Sequence, residues 1–145
     1  MLVRCLYASR PAVSGTEGTA AIADAILEQS RRNNPPAGIT GLLCCTDDVF
    51  VQVIEGGRDA VCDLLGRIFR DTRHTEVRIL VFEEIAERRF GNWTMGRVNL
   101  VKLNPTLLLK YSEKPALDPF AAPGQTVMSL LSDLVASAAI RTHGT

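Results

Sequence analysis

Two short apolar runs, residues 41–45 and 49–54, stand on either side of Thr46-Asp47-Asp48, and that spacing predicts a β-hairpin. Alternation places Phe50, Gln52 and Ile54 on one face of the second run and Val49, Val51 and Val53 on the other. A glutamine in that company narrows the choice of folds and of functions. Its amide carries two donors and an acceptor with two lone pairs, and leaving them unpaired in a core costs about 1–3 kcal/mol. Either a backbone group or a water meets the amide, or a ligand with a polar edge does. The alternation alone leaves both open.

The rest of the chain supplies partners for the hairpin. Residues 2–9 alternate, with Val3, Cys5, Tyr7 and Ser9 on one face, and read as a first strand. Ser14 and Glu17 have capping-box spacing, and Ile22, Ala25, Ile26 and Gln29 carry a helix to about Arg32. Asn33-Asn34-Pro35-Pro36 is expected to stop it, because residues before proline avoid the α region. After Gly56-Gly57, Val61, Leu64, Leu65, Ile68 and Phe69 make the apolar face of a second helix, closed by Asp71-Thr72-Arg73-His74. Residues 77–82 read as a fourth strand. A polar link leads to a fifth near 93–100, where Trp93, Met95 and Arg97 are expected to share a face.

The order β-α-β-β-α-β with one further strand predicts an α+β, ferredoxin-like fold: a mixed five-stranded sheet with two helices on one face. Beyond residue 100 the character changes. Asn104-Pro105 starts a short helix, residues 112–124 hold three prolines, and Val127, Leu130, Leu131, Leu134 and Ala138 make an amphipathic last helix. Residues 1–100 are therefore expected to form the core domain and 101–145 a C-terminal helical extension for packing or oligomerisation.

Composition removes several classes of function. At 145 residues the chain suits one domain, and its sixteen basic residues balance sixteen acidic ones, which argues against a general nucleic-acid binder. No run approaches the roughly 18 apolar residues of a membrane span, and the start does not read as a signal peptide, so the expected place is the cytoplasm. Cys5, Cys44, Cys45 and Cys62 lack zinc or redox spacing and read as reduced core cysteines. Templates for hydrolysis, phosphate loops and metal sites all fit poorly, so no enzyme and no metal are expected.

What remains is a scattered set of neutral polar groups: Tyr7 on the first strand, Gln52 on the third, Asn33 and Asn34 at the end of the first helix. Singly, each has a plain structural role. In order, Leu6-Tyr7-Ala8-Ser9, Ser30-Arg31-Arg32-Asn33-Asn34, Gly38-Ile39-Thr40-Gly41-Leu42-Leu43-Cys44, Phe50-Val51-Gln52-Val53-Ile54-Glu55-Gly56, Asp71-Thr72-Arg73-His74, Arg89-Phe90 and Trp93-Thr94-Met95 resemble the BLUF family of flavin-binding blue-light sensors. The resemblance runs from about residue 2 to 100. The tail is similar to that of short stand-alone members with two extra helices.

That resemblance implies a flavin, FAD with FMN as the alternative, between the two helices over the sheet. Ile22, Ile26, Leu64, Leu65 and Ile68 are then candidate packing for the ring. Asn33 and Asn34 would hold its pyrimidine edge, since an amide offers both donor and acceptor. Arg67, Asp71, Arg73 and His74 would lie along its carbonyl side and toward the phosphate, with Arg73 the best phosphate candidate. Tyr7 would give an electron and then a proton to the excited flavin, with Gln52 relaying between them and ending rotated or tautomerised. Trp93 and Met95 would pass the change outward, and Ser9 would bond Trp93 or a nearby backbone group. Output is then expected through protein association, as a homo-oligomer and with a downstream signalling protein, without nucleic acid or membrane. The competing readings are an acylphosphatase-like hydrolase, which lacks its loop after the first strand, an RNA platform, and a light-independent small-ligand regulatory domain. The last is the strongest alternative.

Overall fold

The computed structural model describes residues 1–13 and 15–136. Five strands form one mixed sheet: β1 Leu2–Pro11, β2 Thr40–Cys45, β3 Phe50–Gly57, β4 His74–Ile85 and β5 Gly96–Asn99. Their order across the sheet is β4-β1-β3-β2-β5, antiparallel except for the β2–β5 pair. Helices α1 Thr16–Ala37 and α2 Arg58–Arg70 cover one face, here the front. The short α3 Pro105–Leu109 and the longer α4 Gly124–Ala136 follow β5. This is the α+β, ferredoxin-like arrangement with a C-terminal helical part.

The alternation in β3 sorts its side chains as expected. Phe50 and Ile54 enter the front core with Val3, Cys5 and Tyr7, while Val51 and Val53 enter the back core with Leu6, Ala8 and Leu42. The hairpin is drawn tight at Gly41, where an added Cβ would lie 2.0 Å from the Val53 carbonyl oxygen. Cys44 and Cys45 point to opposite faces of β2. Cys5, Cys44 and Cys45 are buried, and burial pushes the Cys5 thiol up to about 12, which leaves it an inert thiol at neutral pH. Cys62 departs from the expected core role, because it lies on the exposed side of α2.

Several expectations need correction. The first helix does not stop at Asn33; it continues through Pro35 and Pro36 to Ala37. Both prolines fall in the last turn, so the helix forgoes only the two bonds their N–H groups would have made to the carbonyls four residues earlier, and Gly38 at φ 69° ends the helix by donating to the Asn34 and Pro35 carbonyls. The N-cap is Gly15, with no side-chain cap bond, and Ser14 of the expected capping box lies outside the described residues. Phe69 is 54% exposed, because it sits eight residues after Val61 and has turned about 80° from the buried stripe. His74 opens β4 rather than closing α2.

Residues 93–95 precede β5 instead of belonging to it, so Trp93 and Met95 do not share a face. Met95 is buried in the front core, and Trp93 packs against the back one. Nor does β5 flank β3, since β2 lies between them. In the tail, the Asn104 side chain caps α3 as its sequence predicts. Val127, Leu130, Leu131 and Leu134 are all buried, and Val127, Leu131 and Leu134 pack into the back core. The apolar stripe of α4 is thus covered by its own sheet; Ala138 lies outside the described residues. No helix among the described residues is long and apolar enough to cross a membrane.

Candidate functional site

Helices α1 and α2 run over the front of the sheet and leave a cavity of about 490 Å³ between them. Tyr7 and Gln52 lie side by side at its base because they are direct partners in the β1–β3 register, and opposed residues share a face. The Tyr7 hydroxyl donates to Gln52 Oε1, and Gln52 Nε2 donates to Met95 Sδ at 3.3 Å. Both ends of the amide therefore have partners, one of them a weak thioether acceptor. Burial drives the Tyr7 hydroxyl far above its ordinary pKa, so the phenol keeps its proton in the resting protein.

The wall from α1 carries Ile26, Gln29, Ser30, Asn33 and Asn34. Asn34 is buried and donates through Nδ2 to the Thr94 carbonyl at 3.0 Å, which ties the helix end to the segment bearing Met95. The facing wall from α2 and its exit carries Leu64, Arg67, Ile68, Arg70, Asp71, Thr72, Arg73 and His74. Arg73 is held by Asp71: its Nε donates to both carboxylate oxygens at 2.9 and 3.0 Å, and its Nη2 reaches Gln29 Oε1 at 2.7 Å. That bonded guanidinium keeps the Asp71 carboxyl below its usual value. Burial lowers the pKa of His74, partly opposed by the Asp71 charge, so the ring is neutral at pH 7.

Most of the residues expected at the site do converge there. Tyr7, Ile26, Asn33, Asn34, Gln52, Leu64, Arg67, Ile68, Asp71, Arg73 and His74 line the cavity. Leu65 does not; it is buried in the core beneath, as the step of one residue from Leu64 turns it inward. Ile22 likewise packs on the core. Arg73, the expected phosphate candidate, is bonded to Asp71 and Gln29. Ser9 bonds His74 Nδ1 at 2.8 Å and not Trp93, which lies on the other side of the sheet.

Gln29, Ser30, Arg70 and Thr72 were missed. Residues 26, 29, 30, 33 and 34 follow helical spacing, so the helix face that carries Ile26 also marks Gln29 and Ser30 as pocket-side. Ile26 on one side and Leu64 and Ile68 on the other, with amides and guanidinium groups around them, suit a flat heteroaromatic ring that has an apolar end and a polar edge.

A sequence model of the BLUF family, described as sensors of blue-light using FAD, matches residues 2–96. The chain belongs to the BLUF family. Its fold neighbours agree along nearly the whole length. The photo-activated state of BlsA superposes with a TM-score of 0.81 at 30% identity, covering 93% of this chain and 95% of BlsA. The dark state of BlrB, a BLUF protein, gives 0.77 at 31% identity, covering 94% and 96%. Photoactivated adenylate cyclase subunit beta of Euglena gracilis is 39% identical over 72 residues. That match spans 49% of this BLUF chain and only 8% of the cyclase subunit.

Proposed function

We propose that this BLUF chain is a blue-light photoreceptor without turnover, whose switch is the Tyr7–Gln52–Met95 hydrogen-bond chain at the base of the cavity. The observation that carries the reading is the glutamine amide bonded at both ends: Oε1 accepts from a protonated tyrosine while Nε2 donates to a thioether. Exchanging the two ends, by rotation or tautomerisation, offers the cavity an acceptor where a donor stood, or the reverse. Which arrangement the amide holds is set by the groups on either side of it, so a change in what the cavity presents can move it from one to the other.

A bound flavin supplies the blue-light absorption and the acceptor for the electron and proton that leave Tyr7. The chain's own residues do the rest. Ile26, Leu64 and Ile68 would exclude water from the ring, Asn33 and Asn34 would hold its polar edge, and Arg67, Asp71, Arg73 and His74 would set the charge beside it, all of them lining the cavity. The family description supports FAD as the bound form, with FMN as the alternative.

Residues 1–100 serve as the photosensor and 101–145 as a helical cover. Output passes through Trp93 and Met95 to a change in association, with a second copy and with a downstream protein in the cytoplasm. An absorption spectrum of the purified protein, taken dark and after blue light, tests this. The expected result is an oxidised flavin spectrum that shifts slightly to the red. A colourless protein that takes up no flavin would leave a small-ligand regulatory domain as the better reading.

A further inference from the structure

Strand β3 grips the connector between β4 and β5 from both faces of the sheet. On the front, Gln52 reaches Met95; on the back, three residues further along, Glu55 reaches the start of the same connector. Glu55 is the one fully buried carboxylate among the described residues. Its oxygens accept from the backbone N–H of Phe90 at 2.7 Å and from that of Arg89 at 3.1 Å. Arg4 adds its Nε and Nη2, each at 2.7 Å from Oε2, and spends Nη1 on Glu83 at 3.0 Å. Arg88 closes the cage with bonds to the Glu55 carbonyl and the Thr40 hydroxyl.

A buried ion pair alone is weak evidence for stability, since apolar residues of similar volume often do as well. The buried N–H of Phe90 and the partly buried N–H of Arg89 are different. They need an acceptor, and an apolar side chain has none. The feature that demands a carboxylate here is therefore the connector. Arg4 compensates the charge that this carboxylate brings. From Phe90, also fully buried, only five residues lead to Met95, and the Trp93 and Thr94 carbonyls on the way are pinned by Gly41 N–H and by Asn34.

We propose that Glu55 is a positioning residue for the switch: by fixing where the connector leaves the back face, it sets where Met95 Sδ stands before Gln52. This inference rests on the reading of Gln52 as the switching amide. Its test compares Glu55→Gln, the double variant Glu55→Leu with Arg4→Met, and Glu83→Gln as a control that loosens Arg4 without touching the connector. Each is purified with flavin and followed for the light-induced shift, the rate of dark recovery and the emission of Trp93, the one tryptophan of the chain.

Both Glu55 variants should keep the shift but change the recovery rate by about fivefold, the scale of one hydrogen bond, and alter Trp93 emission in the dark. Glu83→Gln should match the wild type. Glu55 variants that load flavin and recover at the wild-type rate with unaltered emission would overturn the proposal while leaving the Gln52 reading intact. A wild-type protein with no light response would remove that reading and this one with it. If neither Glu55 variant folds, hydrogen exchange on the wild type decides. Arg89 and Phe90 amides should stay protected in dark and light while those of residues 93–95 change; rapid exchange at Arg89 and Phe90 in the dark would refute the anchor.

Discussion

On the front of the sheet α1 and α2 stand apart over Tyr7 and Gln52 and leave a cavity, whereas on the back α4 and its leading loop press against Leu6, Leu42, Val51 and Val53. The same five strands present both faces. The front gives up packing and keeps buried polar groups in partnerships that can be exchanged: hydroxyl to amide, amide to thioether. The back fills its space with aliphatic side chains and confines its polarity to the Arg4–Glu55 cage, where every bond is charged or aimed at backbone. A weak acceptor such as Met95 Sδ is easily exchanged, while a carboxylate bonded to two N–H groups and a guanidinium is not. The contrast separates a face built to change from a face built to hold it in register.

The largest expected effect comes from removing the exchangeable bonds. Gln52→Leu and Tyr7→Phe should each abolish the light-induced shift while retaining the flavin, since both fill similar space and leave the cavity walls in place. A normal photocycle in either variant would erase the distinction drawn for the front face. Truncation after Leu100 comes next. It uncovers Leu6, Leu42, Val51 and Val53, so scattering should reveal altered oligomer size or lost solubility, while the fraction that remains dispersed still shifts under blue light. A lost spectral response in a dispersed truncation would place the tail within the photosensor itself.

Leu134→Ala, at a fully buried position of the back core, should cost about 2–5 kcal/mol in denaturant unfolding and leave the shift unchanged. The smallest effect concerns His74. Its folded pKa lies below the ordinary 6.5, so as pH falls the unfolded chain takes up the proton first. The stability it contributes is complete above pH 6.5 and declines as pH drops through that value toward the folded one. The unfolding midpoint should fall between about pH 7.5 and pH 5.5 in the wild type, and less steeply in His74→Gln. An equal slope in the two would remove His74 as the cause.

Much of this arrangement was legible in the residues, and what was not has physical causes. The alternation of β3 was decisive, because a period of two allows only one sorting of Phe50, Gln52 and Ile54 against Val51 and Val53. Tyr7 and Gln52 could be paired through the resemblance, and the β1–β3 register sets them directly opposite. The end of α1 misled because proline rules describe helix interiors, while Pro35 and Pro36 sit in a last turn that Gly38 completes. Trp93 and Met95 misled because two residues separated by one share a face only inside a strand, and these two lie in the turn before β5. The Arg4–Glu55 cage had no local signal: Arg4 and Glu55 are 51 positions apart, Glu55 and Phe90 are 35 apart, and alternation alone does not say that two charges on apolar faces meet each other and a distant loop.

The exchange at Gln52 can be observed most directly in a light-minus-dark infrared spectrum of the flavin-loaded protein, recorded on the wild type and on Gln52→Leu. A carbonyl that gains a hydrogen bond stretches at a lower frequency. The wild type should therefore lose a flavin carbonyl band in the light and gain one below it, reverting in the dark, while Gln52→Leu stays flat. A wild type that shifts in the visible with no change among its flavin carbonyl bands, or a Gln52→Leu variant with the full infrared change, would contradict the switch.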